Sequence, residues 1–307
     1  MRFFPISLRL SKIAFTFTAQ LLLASGALIV SAVAQDAAPE PPLPAAVFQN
    51  RIPSDQLIFM SSFAGQPARD LLKDKRFRAL EKQIIPRTTY HYGRDMPLDE
   101  ASDNMLWGSK TPVDLREDRY LTLSGQQGPY LEGRGFLWFD LQEGIALAGV
   151  YFHPVNGEPT PTLAIFSRQL TDKSLAMSQL PEAFEWDLIQ WATAVHIAPI
   201  TTRYFIPVNG KKYVLVHDED YCAHADDQPA PPQNVCIQMN AAAANIDLNA
   251  AYFMQQSGNA ANATAWMLEP QLVAWNASIG SSCRVGGLSC RIRVTRQRTK
   301  AILSQQR

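Results

Sequence analysis

The apolar pattern of the first 34 residues is typical of a signal peptide. Three basic residues precede an apolar run over residues 13–33: Arg2, Arg9 and Lys12. The run ends in Ala32-Val33-Ala34, with small residues at the two positions that a signal peptidase reads. We expect cleavage after Ala34 (signal peptide 1–34) and a periplasmic or secreted protein of a Gram-negative bacterium. The alternative is an uncleaved anchor, because roughly 20 apolar residues span a bilayer.

Residues 35–50 are rich in Pro and Ala and predict an extended tether without a core of its own. We expect order to begin near Ile52. A first helix is predicted from Ser54, capped by Ser54-Asp55-Gln56. A second is predicted over 67–84, because its apolar residues recur at helical spacing.

From residue 111 the pattern changes to short alternating runs, which predict strands. The strands are expected at 119–124, 135–140, 144–152 and 162–167. Turn residues separate them, so an antiparallel meander follows. A helix over 181–195 and a hairpin around Asn209-Gly210 complete a predicted α+β domain at 51–218.

The remaining residues, 219–307, predict a small all-α domain. Helices are expected at 234–256, 262–279 and 290–303, with Pro270 kinking or splitting the second. The fold class is therefore α+β, an antiparallel sheet with flanking helices, followed by a small disulfide-bonded helical domain.

All four cysteines lie in this last part of the chain: Cys222, Cys236, Cys283 and Cys290. An even number in an exported chain indicates disulfides. Three pairings are open, and the pairing of neighbours, Cys222–Cys236 with Cys283–Cys290, is a guess. A zinc site is disfavoured because no CxxC spacing is present.

Charge and motifs exclude some function classes. Of the 28 basic residues three lie in the signal peptide, which leaves 25 against 28 acidic residues. This balance disfavours nucleic acid as a partner and suits a cationic protein. The GxSxG, HExxH and P-loop signatures are absent, so we expect no enzyme and no cofactor. Four tryptophans are expected to anchor cores: Trp186, Trp191, Trp266 and Trp275.

Two stretches carry candidate chemistry. The first is a polar cluster, which is either a metal site or, as we prefer, a polar strand end that enters a disulfide-closed loop. Its members are His217, Asp218, Glu219, Asp220, Cys222 and His224. The second is a loop between two predicted strands, consisting of Gln126, Gln127, Gly128, Pro129, Tyr130 and Leu131. The bare sequence favours an ordinary hairpin connection there, although such a loop also suits insertion into a partner's cleft.

The C-terminal segment, about residues 222–303, resembles the LprI-type lysozyme inhibitor family. The matching features, in order, are Cys236, Asp247-Leu248-Asn249, Tyr252, Trp275, Cys283, Cys290, Arg298 and Ile302-Leu303. The chain departs from the family at 276–282, where an Arg-Asp pair is usual. The resemblance implies a disulfide-bonded helical domain that binds lysozyme.

The strand region is similar to the Ivy family of periplasmic lysozyme inhibitors. The likeness runs from Pro112-Val113 through 120–125 and 136–138 to 145–151. In that family a disulfide-closed Cys-Lys-Pro-His-Asp-Cys loop plugs the lysozyme cleft. Here the loop is 126–131, without the cysteines and the histidine, so that plug chemistry does not carry over. Tyr130 still offers an aromatic anchor.

Both resemblances imply a periplasmic binding protein that occludes a muramidase cleft and protects peptidoglycan. Its partner would be a lysozyme-like muramidase or another envelope protein, with no membrane contact after signal cleavage. The first alternative is a non-catalytic envelope interaction module with a degenerate inhibitory loop. The second is a metal enzyme that uses the cluster at 217–224.

Overall fold

A computed structural model describes most of the chain after residue 46. The described residues are 47–107, 109, 111–127, 133–152, 161–172, 175–223, 232–259 and 270–304. The predicted signal peptide lies outside them, as does most of the tether. The chain is already packed before Ile52, the residue near which order was predicted to begin. Val47 and Phe48 are buried, and Phe48 forms a β-bridge with Leu170.

A seven-stranded sheet organises the molecule, and its strands lie side by side in chain order. The strands are β3 (Asp114–Arg116), β4 (Tyr120–Gln127), β5 (Gly133–Asp140), β6 (Ile145–Phe152), β7 (Thr162–Phe166), β8 (Thr202–Ile206) and β9 (Tyr213–Val214). The predicted meander is confirmed, since β4 to β7 pair antiparallel in sequence order. The hairpin around Asn209-Gly210 is confirmed as β8 and β9.

One strand pair departs from the predicted antiparallel pattern. The strands β7 and β8 are parallel, with Thr162 opposite Thr202. Parallel neighbours need a crossover connection, usually a helix. The predicted helix at 181–195 supplies it as α4 (Glu182–Ala194).

Both faces of the sheet are buried. One face packs on the N-terminal helices through residues such as Leu121, Phe139 and Val150. The other packs on α4 through Phe136, Trp138 and further residues. Every residue of β6 and of β7 is buried, so the central strands lack a solvated side.

The N-terminal helices differ from the prediction in kind. Two short 3-10 helices, Ser54–Gln56 and Ile58–Phe63, replace the expected capped helix, and no side chain caps them. The hydroxyls of Ser61 and Ser62 donate to the carbonyls three residues back. Such side-chain bonds compete with an α-helical ladder.

The helix predicted at 67–84 is broken in two. Its parts are α1 (Ala68–Leu72) and α2 (Lys75–Ile84). Asp74 has extended backbone angles, and its carboxylate accepts from the Arg76 N–H as the N-cap of α2. An N-cap residue has non-helical backbone angles, so Asp74 separates the two helices and starts the second.

The segment between α2 and the sheet holds structure that was not predicted. A small hairpin, β1 (Thr89–His91) with β2 (Asp95–Pro97), leads into α3 (Leu98–Leu106). The helix α3 packs against β4 and β5. It therefore lies over the end of the hairpin that carries the predicted loop.

Three helices form the C-terminal part: α5 (Gln233–Asn259), α6 (Pro270–Ser282) and α7 (Gly287–Ser304). The first and third match the prediction, while α6 begins at Pro270, and 262–269 lie outside the described residues. The guessed disulfides are confirmed as Cys222–Cys236 and Cys283–Cys290. No described helix is long and apolar enough to cross a membrane. The proposed boundary near residue 219 stays a prediction.

Candidate functional site

The hairpin of β4 and β5 holds the predicted binding loop. Gln126 and Gln127 are the last residues of β4 and pair with Arg134 and Gly133 of β5. Gln126 is exposed. Gly128, Pro129, Tyr130 and Leu131 lie outside the described residues, so what the structure provides is the geometry of the two strands that hold the loop.

Two glycines let other elements close on the base of this hairpin. A Cβ at Gly125 would lie 2.5 Å from the carbonyl oxygen of Met105 and 2.8 Å from the Cα of Leu106 in α3. A Cβ at Gly133 would overlap the phenol of Tyr92. Real side chains at either position would push these neighbours away. The hairpin base is therefore clamped by α3 on one strand and by Tyr92 on the other.

Tyr92 ties the small β1–β2 hairpin to the clamp. Its hydroxyl hydrogen-bonds the backbone of Gly133, and its ring meets Phe152 edge-on with the centroids 5.6 Å apart. Burial raises the pKa of the Tyr92 phenol, so the neutral hydroxyl is the form present. This residue was missed at the sequence level, because one tyrosine in an irregular segment gives no periodic signal.

Arg134 and Tyr151 lie side by side near the end of the hairpin. The Arg134 guanidinium lies 5.7 Å from the ring centroid of Tyr151. Arg134 is opposite Tyr151 in the strand register and opposite Gln126 on the other side. Tyr151 is buried, so the polar groups beside the loop are the Arg134 guanidinium and the exposed amide of Gln126.

The polar cluster at 217–224 is organised around a partner far away in sequence. His217 is buried and bonds Asp247 of α5 twice, through Nδ1 to Oδ1 at 2.7 Å and through its backbone N–H to Oδ2 at 2.9 Å. This pair links the end of the sheet edge to the helical part. The Asp-Leu-Asn motif contains Asp247, but nothing in sequence paired it with His217.

The other members of the cluster bind separate partners. Asp218 accepts from Ser178, Glu219 pairs with Arg203, and Asp220 accepts from Asn240 at 2.7 Å. Cys222 is in a disulfide, so its sulfur is not a thiolate ligand. His224 lies outside the described residues. Within those residues no group of three or more His, Cys, Asp or Glu side chains is placed to hold a metal.

The tryptophans divide between core and surface. Trp191 is buried against Phe136, and Trp275 packs on the small helical core. Trp186 is 55% exposed on the outer side of α4, so its prediction as a core anchor is wrong. The helix presents its buried face through Phe184, Leu188 and Trp191, and Trp186 falls on the opposite side. Trp266 is not among the described residues.

No protein-family model, curated protein or solved structure shows a significant match to the chain. The likeness to the LprI-type and Ivy families therefore stays a prediction from the residues quoted above.

Proposed function

We propose that the protein is a non-catalytic binding protein of the bacterial envelope that inhibits a lysozyme-like muramidase. The β4–β5 loop, 128–131 with its flanking glutamines, would enter the enzyme cleft and exclude the peptidoglycan strand. The proposal includes export by the N-terminal signal peptide to the periplasm. The observation that carries it is the clamped base of this hairpin.

A clamped base matters because binding costs the entropy of every segment that it orders. Related inhibitory loops are expected to be closed by a disulfide, which this loop lacks. Here Gly125 under α3 and Gly133 under Tyr92 restrain both ends of the loop. Packing at the two glycines would thus lower the entropy cost of ordering the loop. In the similar inhibitors a disulfide is expected to do this.

Charge supports the same partner class. After residue 34 the chain holds 25 basic and 28 acidic residues. A slightly acidic protein attracts a cationic muramidase during diffusion, although three net charges give a small effect. Association should slow when salt is raised, because exposed charges are screened over roughly 10 Å at 0.1 M.

The direct test is a cell-wall clearing assay with a c-type lysozyme and the purified mature protein. We expect concentration-dependent inhibition that is competitive with an oligosaccharide filling the lysozyme cleft. A double variant, Pro129→Ala with Tyr130→Ala, should weaken inhibition at least tenfold, because aromatic anchors carry much of such interfaces.

The matched control is Gln142→Ala in the β5–β6 turn at the opposite end of the sheet. Gln142 is exposed, so its truncation should leave both fold and inhibition unchanged. Unchanged lysozyme activity at saturating protein would exclude the proposed function. Equal loss in both variants would exclude the loop as the binding element.

A second candidate function is a non-inhibitory envelope interaction module. Trp186 and Ile189, 55% and 52% exposed, lie one turn apart on α4. Large contiguous apolar patches mark interaction surfaces, and this pair would contribute to one. The test is a pull-down from periplasm. This function would be favoured if the wild type captures an envelope protein but no muramidase, and if the Trp186→Ala variant captures neither.

A further inference from the structure

The turn between α6 and α7 is a short loop that carries an exposed apolar side chain. The Cys283–Cys290 disulfide closes this loop, with a separation of 7 residues, and Val285 within it is 100% exposed. A loop closed in this way has few conformations to lose on binding. One exposed apolar residue is ordinary at a protein surface, so the groups around Val285 decide what it means.

The groups around Val285 are cationic. Arg284 is its neighbour in the chain and is exposed. Arg291 and Arg293 are also exposed, and they line different grooves on the two sides of α7. A helix rises about 1.5 Å per residue, so both lie within roughly 10 Å of the start of α7 at Gly287, measured along its axis. The N-terminal end of α7 adds the positive end of a helix dipole.

Few carboxylates oppose these cations. The one acidic residue in the described helices α5, α6 and α7 is Asp247, and it is buried. Asp220 lines the groove that contains Arg293 and offsets one charge at most. Within the described part of the chain, the three arginines beside Val285 form no ion pair. This end of the helical part is therefore cationic, although the chain after residue 34 is slightly acidic as a whole.

We infer that the tip surface, formed by Arg284, Val285, Arg291 and Arg293, docks on a membrane surface rich in anionic phospholipid. The arginines would bind headgroup phosphates, because an anionic lipid surface attracts each cation close to it. Val285 would enter the boundary between the headgroups and the acyl chains. The contact would be peripheral and reversible, since a few charges and one short apolar side chain do not anchor a protein permanently.

The composition of the tip surface favours lipid over other polyanions. Proteins that bind single-stranded nucleic acid stack the bases on aromatic side chains, and residues 280–293 contain no aromatic residue. A protein partner needs a surface of complementary shape with a packed apolar core. A lipid interface accepts one protruding valine and a ring of cations without such a shape.

Docking at the tip surface departs from the expectation of no membrane contact after signal cleavage. Cleavage removes the apolar segment of the signal peptide, whereas the tip surface would supply a contact of a different kind. It does not depend on muramidase inhibition, because a cationic muramidase is repelled by these arginines and the hairpin loop takes no part.

The test is co-sedimentation of the purified mature protein with lipid vesicles. We expect saturable binding to vesicles of phosphatidylglycerol mixed with phosphatidylcholine, and at least about tenfold weaker binding to phosphatidylcholine alone. Raising the salt from about 0.1 M to about 1 M should abolish binding, because charges are then screened over about 3 Å. No muramidase is present, so failure of this test is distinct from failure of the proposed function.

Substitutions at the tip surface should change the affinity for the mixed vesicles in both directions. Arg284→Gln, Arg291→Gln and Arg293→Gln should each weaken binding about fivefold, the effect of one cation near an anionic surface. Val285→Trp should strengthen it several-fold, because tryptophan favours the membrane interface. All four positions are exposed, so the fold should survive each change.

The matched control is Lys300→Gln, which removes an exposed cation of α7 roughly 20 Å along the helix from Gly287. Screening over about 10 Å at 0.1 M salt should limit its effect to less than about twofold. Equal binding to both kinds of vesicle, binding to neither, or an equal effect of Lys300→Gln would overturn the inference. Binding to polyglutamate or single-stranded DNA without binding to vesicles would overturn it in favour of another polyanion.

Discussion

The sheet region and the C-terminal helices hold together by different means. The sheet lies between two clusters of 29 and 20 described buried residues and contains no cysteine. The helical part has a cluster of five buried residues and both disulfides. The five are Leu248, Ala251, Tyr252, Leu272 and Ile302.

This contrast shows how core size and covalent links offset each other. A small cluster removes little apolar surface from water, and small units commonly depend on disulfides. A sheet with a large core on both faces needs no disulfide. Oxidation of the cysteines therefore matters for 222–290 and much less for the sheet.

The largest expected effect is at the centre of the sheet. Trp138 is fully buried, stacks on Tyr120, and donates from Nε1 to Asp187 at 2.8 Å. Trp138→Ala should lower the free energy of unfolding by about 4 kcal/mol in urea titration, because it leaves a large cavity. Trp186→Ala, at an exposed site, should change the free energy of unfolding by no more than about 0.5 kcal/mol. Similar losses in both variants would remove the distinction between core and surface.

Loss of a disulfide should affect the helical part alone. Replacing Cys222 and Cys236 by Ala opens a loop with a separation of 14 residues. The added entropy of the unfolded chain should lower the free energy of unfolding by about 3 kcal/mol. The shorter Cys283–Cys290 loop, with a separation of 7, should contribute about 2.5 kcal/mol. Hydrogen exchange should show lost protection in α5 and α7 and retained protection in β5 and β6. Equal loss in the strands would mean that the two regions unfold as one.

The sheet region should instead respond to pH. Burial, with the Asp103 charge second, raises the Glu81 pKa from 4.5 to about 7. Between these values the folded state keeps a proton that the unfolded state has released, so stability falls as pH rises through this window and is level above it. We expect the free energy of unfolding to fall by about 3 kcal/mol, which thermal denaturation at a series of pH values from 4 to 8 should detect.

Glu81→Gln should flatten that pH profile, since an amide does not titrate. Glu100→Gln is the control, because the Glu100 side chain is 43% exposed and pairs with Arg94. A wild-type profile that is already level from pH 4.5 to 7 would contradict the raised pKa.

The sequence predicted best where one local rule decides the structure. Alternating runs and turn residues predicted the meander, and Asn209-Gly210 predicted the β8–β9 hairpin. Local rules failed where two compete. In 54–63 the apolar spacing suggested an α-helix, but serine side-chain bonds accompany 3-10 turns. At Asp74 capping overrode the continuous helical period.

Long-range pairings were beyond the sequence. The parallel register of β7 and β8 depends on where α4 packs, and the partner of His217 is 30 residues away. The candidate loop was located from the strand pattern and family likeness. The clamp that supports the loop could not be predicted from the sequence. Tyr92 and α3 contact the two glycines only in the folded protein.

The glycine clamp also divides the hairpin into a fixed part and a replaceable part. Substitution at 125 or 133 would disturb the packing, so natural variation should be rare there. The clamp acts at these two positions, so foreign peptides could be grafted between Gln127 and Gly133 while both glycines are kept. The protein would then serve as a display scaffold, with the recognition sequence chosen by the experimenter.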